Sequence, residues 1–425
     1  MPKEKIIASI DVGSSKICTI VSVVSGGKIS IIGNSTIESR GIDRGVVNDI
    51  DKAVEAIAES IEKAEKMSGH AISSAIVTVN GQHIASENST GVVAITDPNG
   101  EISYQDIARV NEAAQAITIP SSREVIHVIP RDYVVDSQGN IKNPEGMSGV
   151  RLEVEAHIIH ASTTVVKNLV KCIKQVGVEV SELVYTALAS SIAVLTDTEK
   201  ELGTVLVDLG GRTTSCIIYQ NGSPIYSFVI PVGGKHITGD IAVGLRCSLG
   251  VAEKIKIKLS NQKEDVTIPS VIDPQKETAK KGEIYVGDID PELGSVPRKF
   301  LEKLIADRLE EIFSLVQSEI KKAGFETKIP AGAIITGGAS ETVGISEIAK
   351  FVLKLPVKVA SPRGLTGLID EIEGPSYSSC IGAIFYKMES NMDESSSYSG
   401  GIKLPKNFGK SIGANLKKIF KFLQP

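Results

Sequence analysis

The chain has 425 residues, enough for two domains, and is 42% hydrophobic, enough for sizeable cores. Trp is absent, aromatic residues make up 4% and the net charge is −5, so neither base stacking nor a basic surface recommends nucleic acid as a partner. The five cysteines (18, 172, 216, 247 and 380) stand singly without disulfide or zinc spacing, as small core residues of a reducing cytoplasm would. No signal peptide is expected, and no run of about 18 apolar residues could span a bilayer.

In chain order, Ile7-Ala8-Ser9-Ile10 reads as a strand ending on Asp11, followed by the small turn Gly13-Ser14-Ser15-Lys16. Strands over 17–24 and 28–32 flank Gly26-Gly27, a strong hairpin signal. Asp49 or Asp51 can cap a helix carrying Val54, Ile57, Ile61 and Ala64 and ending near Gly69. A strand over 74–79 closes on Asn80-Gly81. Residues 84–160 break this pattern, with short strands over 91–95, 125–133 and 152–159 around a helix over 104–116, and read as an insertion. Ser162 begins a helix with Gly177 as its left-handed stop; a strand over 178–182 and a helix over 184–195 follow.

The stretch 204–215, TVLVDLGGRTTS, then repeats the opening motif. A fully apolar run ends on Asp208, and Gly210-Gly211 follow with Thr213 and Thr214. Such a turn offers N–H and O–H donors to an anion, and its carboxylate can face Mg²⁺ or its waters, so a polyphosphate fits. Strands over 216–219 and 225–230 around Asn221-Gly222 complete a second meander. The duplication raises both acids above ordinary strand ends. Beyond Gly233-Gly234 come helices over 237–245 and 251–258, the second carrying Glu253 and Lys256 three residues apart. Such a pair is ordinarily a solvated ion pair; the preceding glycines make it a candidate. Residues 261–290 read as a polar excursion with a strand near 283–286. A helix over 299–323 buries Leu301, Leu304, Ile305, Leu309, Ile312, Phe313, Val316 and Ile320. A strand over 331–336 meets Gly337-Gly338-Ala339-Ser340, a third glycine turn, where a helix N-terminus could face a nucleotide. His127, His157, His160 and His236 have no metal-like partner set and read as structural.

The globular part is expected to end near Met388, with a serine- and glycine-rich linker over 389–407. In 408–425, Phe408, Ile412, Leu416, Ile419, Phe420, Phe422 and Leu423 fall on one helical face, with Lys410, Lys417, Lys418 and Lys421 opposite. That is the pattern of an interfacial helix on anionic membrane lipid.

Two acid-tipped meanders and a third glycine turn resemble the actin-like two-lobed ATPase fold, an α/β class with duplicated domains and inserted subdomains. At finer grain IASIDVGSSKI, RGIDRGVV, VTVNGQHI, EKELGTVLVDLGG, IPVGGKHITGDIA, AEKIK, AIITGGAS and the basic amphipathic C-terminus resemble the bacterial cell-division FtsA family. The resemblance implies subdomain IA over 1–83, 162–202 and 361–388, IC over 84–161, IIA over 203–235 and 301–360, and IIB over 236–300. It implies a first phosphate loop of Asp11, Gly13, Ser14, Ser15 and Lys16 and a second of Asp208, Gly210, Gly211, Thr213 and Thr214. Gly234, Glu253 and Lys256 would touch nucleotide from the second lobe, and Gly337 and Gly338 would flank adenosine. Asp11 and Asp208 would position Mg²⁺ and water. The family usually has glycine at Arg212 and an acid or Asn at Ser215; Arg212 either adds a phosphate contact or restricts the loop and weakens hydrolysis. The implied function is an ATP-binding, polymerising protein, at most a weak ATPase. It would tether FtsZ filaments through the FtsZ C-terminal peptide on IIB, contact later division proteins through IC, and sit on the cytoplasmic face of the plasma membrane at the division site. Alternatives are a PilM-like pilus adaptor and a small-molecule kinase of the same fold.

Overall fold

The computed structural model describes residues 5–116, 119–261, 282–368 and 372–395, the side chains of 391–395 excepted. The chain divides into two compact units, 1–387 and 388–425. The expected membrane helix over 408–425, the linker from 396 and most of the excursion (262–281) lie outside the described residues.

Two sheets of the first unit repeat one topology. In the first, the strands run Lys28–Glu38, Lys16–Ser25, Lys5–Val12, Ser74–Val79, Glu179–Tyr185, and the short strand Thr366–Gly367 extends the Lys28–Glu38 edge. In the second they run Ser223–Ile230, Thr214–Gln220, Thr204–Leu209, Ala333–Thr336, Val357–Val359. In chain order within each lobe this is third-second-first-fourth-fifth, with the first three strands antiparallel and the last two parallel to the first. The matching hairpins follow from matching turn chemistry. Gly26, Gly27, Asn221 and Gly222 all adopt positive φ, the geometry that suits the right-handed twist of the flanking strands.

Alternation along the strands decides which face meets what. On the first sheet Thr19 meets Ser60 of the helix Ile50–Ser68 (Oγ1–Oγ 2.8 Å), which starts on Asp49 and stops at left-handed Gly69. Ser9 and Asp11 point to the opposite face, where the helix Ser378–Ser395 brings Cys380 Sγ within 3.1 Å of Ser9 Oγ. On the second sheet Val205, Val207 and Leu209 pack in one core with Leu301, Ile305, Leu309, Ile312, Phe313, Val316 and Ile320 of the helix Arg298–Lys322. Asp208 points the other way, toward the helix Thr186–Val194.

These two helices exchange lobes. Thr186–Val194 follows the last parallel strand of the first sheet yet lies largely on the second; Ser378–Ser395, which comes after Val357–Val359 of the second sheet and the short edge strand Thr366–Gly367 of the first, lies on the first. They cross where Gly382 abuts the Ala189 carbonyl. Both aspartates therefore stand on the faces that the sheets turn toward each other.

The inserted segment forms an antiparallel sheet ordered Ala85–Ala94, Arg151–Ser162, Arg123–Val135, Gln138–Ile141. The helix Tyr104–Gln115, closed by a Ser103–Asp106 capping box, buries Val110 and Ala114 against Leu152, Val154 and Ala156. Its Ala85–Ala94 edge docks on the second sheet, with Ser86 Oγ donating to Ser227 O (2.9 Å).

Several expectations need correction. Residues 389–395 are helical rather than linker, because none of them is glycine or proline. The helix after the third glycine turn does not follow it directly but starts at Ile345 and runs to Leu353. Leu304 is only half-buried. Cys18 and Cys380 do not stand singly: Cys380 Sγ lies 3.5 Å from the Cys18 carbonyl. All five cysteines are free.

Candidate functional site

The two acid-tipped turns share one pairing register. Asp11 pairs with Cys18 and Val12 with Ile17; Asp208 pairs with Ser215 and Leu209 with Thr214. Each encloses four residues, and in each the first glycine N–H donates to the carbonyl three residues on: Gly13 to Lys16 (3.0 Å) and Gly210 to Thr213 (2.9 Å). The carboxylates are held by hydroxyls from beyond their own hairpins. Asp11 accepts from Thr78 on the neighbouring parallel strand and from Ser379 (2.8 Å) on the crossing helix. Asp208 accepts from Ser190 on the other crossing helix.

Asp208 is only 7% exposed. Burial pushes its pKa up to about 7, and the Asp11 charge adds to this; the Ser190 hydrogen bond and the Lys16 ammonium act in the opposite direction. The Asp11 charge acting on Asp208 places the two aspartates at one locus. Gly337, at φ +90, closes one side: a β-carbon there would lie 2.4 Å from Asp208 Oδ1. A buried, half-satisfied carboxylate beside a second one is a site with affinity for a cation.

Contacts join the lobes at this locus. Asn80 Nδ2 donates to Thr213 Oγ1 (2.9 Å), and Ser215 Oγ donates to Asn80 Oδ1 (2.7 Å). Lys235 Nζ donates to Ser14 O (3.2 Å), and Arg212 pairs with Asp43 (3.2 Å). Ser15 lies directly on Gly211, where any β-carbon would fall 1.8 Å from its Oγ, so only glycine permits this approach. Lys16 Nζ sits 4.2 Å from the centroid of the Tyr377 ring.

The remaining expected residues divide. Gly234 N–H donates to Gly210 O (2.9 Å), which seats the start of the helix Gly234–Leu245 on the second turn. Lys256 is buried, not solvated: its Nζ meets Glu253 (2.8 Å), Thr238 Oγ1 (2.9 Å) and Gly234 O (3.4 Å). Glu253 also accepts from Thr238. Thr214 turns away from the turn's mouth, its hydroxyl donating to Val232 O (2.7 Å). Gly337 N–H donates to Pro375 O (3.1 Å), and the Gly338 face lies near Ser376. The histidines have structural partners. His127 Nε2 accepts from Tyr185 N–H (3.0 Å), His157 bridges Asn88 and Ser227, His160 meets Arg123, and His236 bonds Gly233. Burial lowers the pKa of both His127 and His157 to about 3.

Sequence reasoning missed Thr78, Asn80, Ser190, Lys235 and Ser379. Ser190 carried a signal: TALASSIAV is buried almost all round, so its serines need internal partners. Lys235 carried one too, as a cation directly after a glycine pair.

The donor set fits a polyphosphate with a hard cation. It has glycine turns, threonine and serine hydroxyls, three nearby cations (Lys16, Arg212, Lys235) and two carboxylates. Ser340, in the third glycine turn, has a buried hydroxyl without a hydrogen-bond partner. Entry of phosphate between the loops requires Ser15 to turn from Gly211 or the loops to part.

Two family profiles match the chain: one described as "SHS2 domain inserted in FTSA" over 81–160 and one described as "Cell division protein FtsA" over 205–382. The chain is 41% identical to the cell division protein FtsA of Borreliella burgdorferi over 390 residues, covering 90% of this chain and 91% of that protein. It is 38% identical to that of Pseudomonas aeruginosa (92% and 91% covered) and 32% identical to that of Escherichia coli K12 (99% and 98%). Among solved structures, the PilM-PilN type IV pilus biogenesis complex matches with a TM-score of 0.60 at 14% identity, covering 90% of this chain and 98% of that one. MreB 5 of Spiroplasma citri bound to AMPPNP matches with a TM-score of 0.53 at 14% identity, covering 93% and 100%. At that identity these two establish the actin-like fold alone.

Proposed function

Because this chain belongs to the FtsA family of cell-division proteins, we propose that it is an ATP-binding, polymerising adaptor that tethers FtsZ filaments to the cytoplasmic face of the plasma membrane at the division site. The observation that carries the nucleotide part is the meeting of two register-matched aspartate turns, bridged by Asn80, Lys235 and Ser15. That the MreB 5 neighbour was solved with AMPPNP supports the same reading.

In this reading the turn N–H groups, with Ser14, Ser15 and Thr213, hold phosphate oxygens, and Lys16, Lys235 and Arg212 balance their charge. Asp11 and Asp208 face Mg²⁺ through water, and the ion supplies charge neutralisation on the phosphates when bound. Ser190 and Ser379 orient the carboxylates. Gly337 and Gly338 flank adenosine; Gly234 lies at the nucleotide's second-lobe side, with Glu253 and Lys256 bracing its helix. In this reading the protein is at most a weak ATPase. A ligand touching both lobes favours the closed form, and closure favours head-to-tail assembly.

The FtsZ C-terminal peptide is assigned to 236–300, later division proteins to the insertion over 84–161, and anionic lipid to the helix over 408–425. Among the described residues no helix is long and apolar enough to cross a membrane. The test has two parts. Asp208→Ala should reduce Mg-ATP affinity and filament formation together, and FtsZ C-terminal peptide on beads should retain the full chain. Retention of both binding and polymerisation in the variant refutes the nucleotide coupling; loss of the chain from the beads refutes the FtsZ assignment.

A further inference from the structure

We propose that Asp43 is a competing partner for Arg212: its carboxylate holds the guanidinium across the cleft, and a bound polyphosphate must take Arg212 from it. The inference rests on the Mg-ATP reading above and adds to it a residue that sets affinity.

The two side chains come from different lobes. Asp43 ends the short strand Ile42–Asp43, which pairs with Val46–Val47 through a turn in which Arg44 and Gly45 both have positive φ. That hairpin is anchored to the first phosphate loop, because Gly45 N–H donates to Ser14 Oγ (2.9 Å). Arg212 stands in the second loop between Gly211 and Thr213. Their contact, Nη1 to Oδ1 at 3.2 Å, therefore links the rims of both loops.

The link is weak by construction. Both side chains are about two-fifths exposed (39% and 40%), and pairs of that kind shift an equilibrium only about two- to fivefold. Asp43 Oδ1 is itself buried and accepts no hydrogen bond, so the contact is ionic without the directed bond that makes arginine–carboxylate pairs strong. A polyphosphate offers more charge and several acceptor oxygens to the same planar fork. Lys235 lies close enough to feel the Arg212 charge and already donates to Ser14 O. Once Arg212 leaves Asp43, three cations of the site face the same anion. Asp43 thus braces the closed rims and lowers affinity for phosphates by occupying one of their ligands.

The measurement is equilibrium titration of the full chain with Mg-ATP, and separately with adenosine, for the parent, Asp43→Asn, Arg212→Ala and the double variant. The proposal predicts that Asp43→Asn tightens Mg-ATP about threefold and Arg212→Ala weakens it, and that the double variant matches Arg212→Ala. Adenosine, which has no phosphate, binds all four alike. Unchanged or weakened Mg-ATP binding in Asp43→Asn overturns it. So does tightening that persists without Arg212, or an equal change for adenosine, which would mark a merely structural effect. Absence of Mg-ATP binding by the parent chain would instead remove the underlying nucleotide reading and this proposal with it.

Discussion

Replacing Asp208 by asparagine isolates the cost of a buried carboxylate at the centre of the cleft. The carboxyl is held near pKa 7 in the fold against 3.8 for an ordinary aspartate, chiefly by burial. Below about pH 4 both folded and unfolded chains carry the proton, and the group leaves stability untouched. As pH rises toward 7 the unfolded chain releases it first, so folded stability falls; above 7 the loss is complete. At about 1.4 kcal/mol per unit, the part lost between pH 5 and pH 8 is about 3 kcal/mol. Asparagine keeps the shape and cannot ionise, so its stability lacks this slope. Denaturant unfolding of both proteins in metal-free buffer across that range gives the difference directly, because every other titrating group is common to both. The variant should gain on the parent steadily with pH, and Mg-ATP should restore the parent alone. Parallel pH profiles would refute the argument that Asp208 is an uncompensated carboxylate awaiting a cation.

Two neighbouring glycines give a controlled comparison. Gly337→Ala combines positive φ with a clash on Asp208 and should cost about 1–3 kcal/mol in unfolding experiments and weaken Mg-ATP, whereas Gly338→Ala, whose β-carbon would find its nearest atom at 3.6 Å, should do little. Equal effects would show that the Gly337–Asp208 contact does not shape the site. In liposome sedimentation with anionic vesicles, the full chain should pellet and a chain lacking 406–425 should stay in the supernatant; equal pelleting removes the membrane role of Phe408, Ile412, Leu416, Ile419, Phe420, Phe422 and Leu423.

Much of this architecture was legible because its signals are local. Gly26-Gly27 and Asn221-Gly222 fix the hairpins, Asp49 and Gly69 bound one helix, and the 3.6-residue apolar repeat marks Arg298–Lys322. The duplication exposed Asp11 and Asp208 together. Gln138–Ile141 escaped because Gly139 and Asn140 break any apolar alternation, and it pairs only as the outer strand of its sheet. The aspartates' partners were not legible. Ser379 stands 368 residues from Asp11, and only the exchange of helices between lobes brings it there. Lys256 looked like a surface cation because spacing cannot reveal that Thr238 and Gly234 would enclose it. Helical residues 389–395 were misread because serine-rich composition just beyond them pulled the expected boundary inward.

Amide hydrogen exchange of the full chain, with and without Mg-ATP, tests the shared cleft most directly. The account predicts simultaneous slowing in 11–16 and 208–214, and loss of both effects in Asp11→Ala and in Asp208→Ala. Protection of only one turn, or of neither, would contradict the claim that the duplicated turns grip a single nucleotide.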